Sequence, residues 1–140
     1  MSQKSRRAYV SFGIYQDIES PEFWTRYFGV QPTVAGAKGD PRPPGKDGVA
    51  RVPPRRIGIW GIETKDIIDS DDLEPHLRYL VETLGLPRAD FANEIMRTGA
   101  MVRFFCFWVN EDGNRPPKIP GDIVEMCNSQ GIEIDIDEYS

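Results

Sequence analysis

The chain has 140 residues and a formal net charge of −5, and 39% of its residues are hydrophobic and 28% charged. These values match an ordinary globular protein with one hydrophobic core, and they argue against a chain that is disordered throughout. No segment approaches the roughly 20 apolar residues of a membrane-spanning helix, and residues 1–7 lack the apolar stretch of a signal peptide, so we expect a single cytoplasmic domain over residues 1–140.

The first predicted elements are a strand and a short helix. Residues 1–7 are predicted to form a flexible basic arm, and residues 8–15 then alternate apolar and polar side chains as a half-buried strand does. Ser20 is a suitable N-cap, and Pro21 suits the first helical position. We therefore expect a helix from here to Gly29, where the glycine would end it.

A long stretch rich in proline, glycine and basic residues follows at residues 30–55. It is predicted to be a loop with at most one short strand, near residues 49–52. Loops of this length are uncommon in small domains and often carry function. One hypothesis is therefore a small-molecule sensor or an enzyme with its pocket under this loop. The residues expected in or near that pocket are Lys38, Asp40, Arg42 and Trp60.

The middle of the chain predicts a strand followed by two helices. Residues 56–63 read as a strand. Asp69 and the acidic residues after it offer several N-caps, and leucines at helical spacing follow as far as Gly85. This is the clearest amphipathic helix in the sequence. A second helix is predicted over residues 88–98.

The most hydrophobic run is predicted to be a strand in the middle of the sheet. It covers residues 100–109 and includes the segment Phe104-Phe105-Cys106-Phe107-Trp108. Both of its faces are apolar, so we expect helices to cover one face and further protein to meet the other. A helix over residues 120–130 and a strand over residues 132–137, in which isoleucine alternates with acidic residues, complete the chain.

This order of strands and helices favours an α+β fold. The chain is short for a doubly wound sheet, so we expect a ferredoxin-like sandwich. Its sheet would be mainly antiparallel, with four or five strands and with helices packed on one face.

The sequence contains no motif that defines a reaction or a metal site. Cys106 and Cys127 form no Cys-x-x-Cys pair and are expected to be buried thiols. His76 has no recognisable catalytic companion and is expected to be a solvent-facing or half-buried structural residue. Glu133 and Asp137 would lie about 13 Å apart on a strand, too far to share one ion. We therefore expect no metal and no cofactor, and we favour a non-enzymatic function.

Charge is distributed unevenly along the chain. Residues 31–60 carry six basic and two acidic side chains, whereas residues 111–140 carry two basic and eight acidic side chains. Such asymmetry affects the rate of association and the choice of partner rather than the fold. Because the whole chain is acidic, a basic protein partner is favoured over nucleic acid.

Several short motifs follow one another along nearly the whole chain. They are Tyr9-Val10-Ser11-Phe12, Gly29-Val30-Gln31-Pro32-Thr33, Lys38-Gly39-Asp40-Pro41, Trp60, Phe105-Cys106-Phe107-Trp108, Asp112-Gly113-Asn114 and the segment 131–137. Together they resemble the bacterial family called domain of unknown function 4279, from which residues 45–54 depart as an insertion-like stretch. The resemblance implies a small stand-alone bacterial protein, and it implies no activity, because the family has none established.

The leading hypothesis is a non-enzymatic protein-binding domain that engages a basic partner through its acidic C-terminal region. An immunity-type inhibitor is the most specific form of this hypothesis, by analogy of size and charge alone. The residues expected to contact the partner are Glu133, Asp135, Asp137, Glu138 and Trp108. The alternatives are the sensor or enzyme described above and a homodimeric structural module that pairs through its sheet.

Overall fold

A computed structural model describes residues 7–41 and 54–140. In these residues the chain forms the strands β1 (Ala8–Tyr15), β2 (Val34–Gly36), β3 (Ile59–Glu63), β4 (Met101–Val109) and β5 (Glu133–Tyr139), and the helices α1 (Pro21–Phe28), α2 (Leu73–Leu84), α3 (Phe91–Thr98) and α4 (Gly121–Gln130). Arg42, the strand suggested near residues 49–52 and residues 1–6 of the predicted arm lie outside the described residues.

The five strands form one sheet in the order β2-β3-β1-β4-β5. The pairs β2–β3, β3–β1 and β1–β4 are antiparallel, whereas β4 and β5 are parallel. The sheet is therefore mixed, and the expectation of an α+β fold is confirmed at this level. The parallel pair arises because α4 carries the chain back along the sheet, so that β5 enters from the same end as β4.

The hydrophobic core lies between one face of the sheet and the helices. Phe12 and Phe104 project from β1 and β4, and their ring centroids are 5.4 Å apart. From α1, Phe28 stacks on Trp60 of β3, with 5.2 Å between ring centroids. Phe91 of α3 packs against Phe28 at 5.5 Å, so the helices add a second aromatic layer to the first.

Successive side chains of β4 point to opposite faces of the sheet. Phe104 and Trp108 are buried toward the helices, whereas Phe105 and Phe107 point the other way and are partly exposed. We call the side of the sheet opposite the helices the open face. No helix in the described part of the chain packs on it, which agrees with the expectation that helices lie on one face.

Strand β2 was not recognised from the sequence, because it lies within residues 30–55, which were predicted to be a loop. Its three residues pair with β3, with Val34 opposite Gly61. After β2, backbone hydrogen bonds join the turn at residues 39–40 to Arg55. The amide of Gly39 donates to the carbonyl of Arg55 at 2.8 Å, and the amide of Arg55 donates to the carbonyl of Asp40 at 2.9 Å.

His76 differs from the sequence-based prediction. It was expected to be solvent-facing or half-buried, but it is 1% exposed. Its Nδ1 lies 2.5 Å from Thr64 Oγ1, and its Nε2 lies 2.8 Å from the carbonyl oxygen of Ser70. The hydroxyl oxygen of Thr64 also accepts a hydrogen bond from the amide of Val10 at 3.0 Å, so the histidine joins α2 to the sheet.

Cys106 and Cys127 are both free and buried, as predicted. Burial raises the pKa of Cys106 to about 12 and that of Cys127 to about 11. Thiols with such pKa values remain protonated near neutral pH and are poor nucleophiles. None of the helices in the described residues is long and apolar enough to cross a membrane.

Candidate functional site: the open face of the sheet

The open face is built by alternate residues of the central and C-terminal strands. Residues that pair across neighbouring strands point to the same side of a sheet. In β1 and β4 this places Tyr9 beside Phe107, and in β4 and β5 it places Phe107 beside Asp137. The residues of this set from β1, β4 and β5 are Tyr9, Ser11, Gly13, Tyr15, Met101, Arg103, Phe105, Phe107, Val109, Glu133, Asp135, Asp137 and Tyr139.

Three rings form a row across the open face, which we call the aromatic row. Tyr9 and Phe107 are stacked, with ring centroids 4.7 Å apart and 17° between their planes. Phe107 and Tyr139 are 5.1 Å apart. Tyr139 is 49% exposed, so the end of the row over β5 is accessible to a partner.

Carboxylates flank the aromatic row. Asp137 accepts a hydrogen bond of 2.6 Å from the hydroxyl of Tyr139. Asp135 forms a 3.1 Å ion pair with Arg103. On the far side of β1, Ser11 donates to Glu63 at 3.4 Å. The row therefore lies between acidic groups from β3 and β5.

The tyrosines of the row report the negative charge around them. The pKa of Tyr9 is raised by partial burial and by the charges of Glu63 and Asp137. The pKa of Tyr139 is raised chiefly by its hydrogen bond to Asp137. A negative environment opposes ionisation of a phenol and attracts cations. Consistently, the ammonium of Lys65 lies 5.5 Å from the centroid of the Tyr9 ring, a cation–π contact.

Arg103 divides the open face into two parts. Its guanidinium carbon is 5.4 Å from the ring centroids of both Tyr15 and Phe105. Hydrogen bonding to Tyr15, and secondarily to Asp135, raises its pKa. The arginine is thus held between its neighbours, and the acidic, aromatic part of the face lies beyond it toward the C-terminal ends of β4 and β5.

The structure brings three of the five predicted contact residues together. Glu133, Asp135 and Asp137 all lie on the open face. Trp108 and Glu138 pair with each other in register and point to the opposite side. Trp108 is only 3% exposed.

Sequence reasoning missed the aromatic row, although Tyr9 stood in a recognised alternating strand. Phe107 was assigned to the central strand without a partner. Tyr139 lay beyond the predicted end of the last strand at residue 137, whereas β5 continues to Tyr139. The missing information was the register, which no local pattern contains.

The residues proposed for a ligand loop lie in different environments. Trp60 is 1% exposed and belongs to the core, where its indole Nε1 donates to Thr25 Oγ1 at 3.0 Å. Lys38 and Asp40 are exposed in the turn after β2, where Asp40 accepts a hydrogen bond from the amide of Ala37. Arg42 lies outside the described residues.

The open face presents aromatic rings and charged side chains. Within residues 7–41 and 54–140, no group of three or more histidine, cysteine, aspartate or glutamate side chains is placed to hold a metal ion. Aromatic rings flanked by carboxylates can attract a cation through cation–π and charge interactions.

The fold and this face define a class: an α+β domain with one sheet face covered by helices and the other aromatic and acidic. A family model described as "Domain of unknown function (DUF4279)" matches residues 6–140. The chain therefore belongs to this family, as its short motifs indicated. No curated protein and no solved structure matches the chain significantly.

Proposed function

We propose that this protein is a non-enzymatic binding domain whose open face docks a basic segment of another protein. The observation that carries the proposal is the aromatic row flanked by carboxylates, on a sheet face that no helix of residues 7–41 and 54–140 covers. Near the aromatic row, the face carries the carboxylates of Glu63, Glu133, Asp135 and Asp137 and the cations of Lys65 and Arg103, whereas Arg55 lies over Gly36 at the β2 end of the face.

The two kinds of group would contribute differently to binding. Aromatic residues provide most of the affinity in many protein interfaces because they bury large, rigid surfaces. Carboxylates at the rim mainly increase the rate of encounter and exclude acidic partners. A lysine or arginine from the partner could lie on the ring of Tyr9 or Tyr139 and pair with Asp137, as Lys65 already lies over Tyr9.

An immunity-type inhibitor is the specific form of this function that we favour. Such a protein neutralises a toxin by covering its surface, so it needs a rigid complementary face and no catalytic group. Size and the acidic face support this form.

Binding to a basic protein encoded beside this gene tests the proposal. The purified pair would be titrated by calorimetry at several salt concentrations, with the wild type compared with the variant Glu133→Gln/Asp135→Asn/Asp137→Asn. We expect affinity to fall with salt and the variant to bind at least about tenfold more weakly, because attraction between charges at the rim is lost.

A matched control removes three exposed carboxylates elsewhere, in Glu82→Gln/Asp112→Asn/Glu125→Gln. It has the same net charge as the first variant but leaves the carboxylates of the open face in place, so it should retain most of the affinity. Equal losses in both variants, or no association with any such protein, would contradict the proposal. A further variant, Tyr139→Ala, should increase the dissociation rate, since it removes the exposed ring of the aromatic row.

We also propose that β1 to β4 keep the ferredoxin-like arrangement, which α4 and β5 extend. Its support is the order of the strands: β1 and β2 are both antiparallel to β3 and lie on either side of it, and β3 and β4 stand in the same relation to β1. Nuclear Overhauser contacts between β1 and both β3 and β4 would test this order, and direct contacts between β3 and β4 would refute it.

A further inference from the structure

A cleft of about 840 Å³ lies at the end of the sheet where β4 stops, and we call it the end cleft. It is bounded by the start of α2, by Trp108 and by the segment from Asn114 to Pro120. Its volume falls in the range of sites for small ligands, roughly 300–1,000 Å³. The open face does not include it, since Trp108 points to the helix side of the sheet.

The end cleft follows the carboxyl end of β4 in the unit formed by β4, α4 and β5. Ligands of α/β sheets commonly bind outside the carboxyl ends of strands, because the loops there open away from the sheet. Pro120, just before α4, and Asp72 and Leu73, at the start of α2, line the cleft at this position.

Arg115 is held rigidly in the wall of the end cleft. Its guanidinium carbon lies 3.7 Å from the centroid of the Trp108 ring, and its Nη1 donates to the carbonyl of Val109 at 2.7 Å. Its backbone is fixed too, since its amide donates to Asn110 Oδ1 at 2.9 Å and its carbonyl accepts from Trp108 Nε1 at 2.8 Å. Its buried Nη2 has no acceptor among the described residues.

The residues that line the end cleft carry three cations, Arg78, Arg115 and Lys118, and two carboxylates, Asp72 and Glu74. Arg78 is engaged by the carboxylates of Glu74 and Asp122. Lys118 is exposed, and neither it nor Arg115 forms an ion pair within the described part of the chain, so these two cations of the lining are free to pair with an anion. The other walls contain the apolar side chains of Leu73, Pro75, Pro116, Ile119 and Pro120.

We propose that the end cleft binds a small molecule with an apolar body and an anionic head, either a carboxylate or a phosphate. Lys118 pairs with the head at the mouth, and Arg115, supported by Trp108, supplies the fixed charge of the wall. The apolar body packs against the proline and isoleucine side chains. This site is separate from the open face, so the proposal stands independently of the function proposed above.

Titration with three aromatic probes, followed by nuclear magnetic resonance, tests the proposal. The probes are phenyl phosphate, benzoate and the neutral phenol. The reporter is the indole N–H of Trp108, assigned with Trp108→Phe, because it donates to Arg115 in the wall. The indole N–H groups of Trp24 and Trp60 lie in the core and serve as internal references.

We expect at least one of the two anions to shift the Trp108 signal saturably at millimolar concentration, with little effect on the reference signals. Phenol should bind at least about tenfold more weakly, because it lacks the charge. Comparison of phenyl phosphate with benzoate identifies the preferred head. Absence of saturable binding by both anions, or equal binding of phenol, would overturn the proposal.

Substitution of Lys118 then tests whether its charge contributes to binding in the end cleft. Lys118→Gln should weaken binding of the preferred anion about tenfold, whereas Lys38→Gln, which removes an exposed lysine in the turn after β2, should leave it unchanged. Both changes affect exposed side chains, and unchanged amide spectra would verify the fold. An equal effect of both substitutions would show nonspecific attraction and refute a site in the end cleft.

Discussion

Tyr27 illustrates how one residue joins separate parts of the fold. Its hydroxyl donates to Asp90 at 2.5 Å, just before α3. Arg88 lies over its ring at 4.5 Å and donates to its carbonyl oxygen at 2.9 Å. The same arginine also donates to Leu84 at the end of α2, so a single cluster connects α1, α2 and α3.

This cluster predicts a pH dependence of stability at alkaline pH. Partial burial and the hydrogen bond to Asp90 raise the pKa of Tyr27 to about 12. An unfolded tyrosine titrates near 10, so the folded protein holds this proton more tightly. The contribution to stability is therefore complete below pH 10 and is lost as the pH rises toward 12.

The variant Tyr27→Phe should be about 0.5–1 kcal/mol less stable at pH 7, because it lacks the hydrogen bond to Asp90. Between pH 10 and 12 its free energy of unfolding should fall less than that of the wild type, because phenylalanine has no proton to release. Urea unfolding across this range measures the difference, with Tyr79→Phe in α2 as the matched control. Parallel curves for wild type and Tyr27→Phe would contradict the assignment.

At the same scale, the sequence predicted some burial correctly and missed other cases. Cys106 and Cys127 were expected inside because free cysteine is commonly buried, and they are. His76 was expected to be solvent-facing or half-buried, because its position in the sequence does not reveal its partners. Thr64, on the other side of a loop, supplies the partner that makes full burial favourable.

At the scale of elements, the order of strands and helices could be predicted wherever a pattern extended over several turns or pleats. Strand β2 could not, because three residues are too few to show alternation, and tertiary pairing with β3 determines them. The register of β5 against β4 depends on the connection through α4. That register in turn determines which residues share the open face. Hence the acidic residues were found from the sequence but their aromatic neighbours were not.

Two glycines with opposite surroundings provide a test at this scale. A Cβ atom added at Gly61 in β3 would lie 2.5 Å from the backbone oxygen of Phe12, whereas one added at Gly121 in α4 would meet no atom within 4 Å. Gly61→Ala should destabilise the protein by about 1–3 kcal/mol through overpacking. Gly121→Ala should stabilise it by about 0.5–1 kcal/mol by reducing the freedom of the unfolded chain.

Urea denaturation of the two variants and the wild type measures both effects. Since the chemical change is the same, any general effect of an added methyl group cancels in the comparison. Equal stability of the two variants would mean that the backbone of β3 does not approach β1 as closely as described.

At the scale of the whole molecule, the acidic β5 forms one edge of the sheet. Edge strands can pair with other copies of the same chain, and charged residues oppose such pairing. Two copies joined through β5, or face to face through the open face, would bring Glu133, Asp135 and Asp137 close to their own counterparts. Their charge therefore opposes pairing of two copies through β5 or through the open face.

This argument predicts a monomer at micromolar concentration and low salt. The variant Glu133→Gln/Asp135→Asn/Asp137→Asn should self-associate measurably, since it keeps the aromatic row and loses the repulsion. Analytical ultracentrifugation would detect the change, and Glu82→Gln/Asp112→Asn/Glu125→Gln would show whether net charge alone explains it. A stable wild-type dimer that buries the open face would contradict both this prediction and the proposed partner.

The position of β5 also has a consequence for synthesis of the chain. β4 leaves the ribosome before α4 and β5, and until β5 emerges, β4 can pair only with β1. During that interval Phe105 and Phe107 belong to an edge strand without its acidic neighbour, the arrangement most prone to pairing with other nascent chains. We therefore expect chaperones to bind the nascent chain mainly in this interval, and ribosomal pausing between α4 and β5 to lower the yield of folded protein.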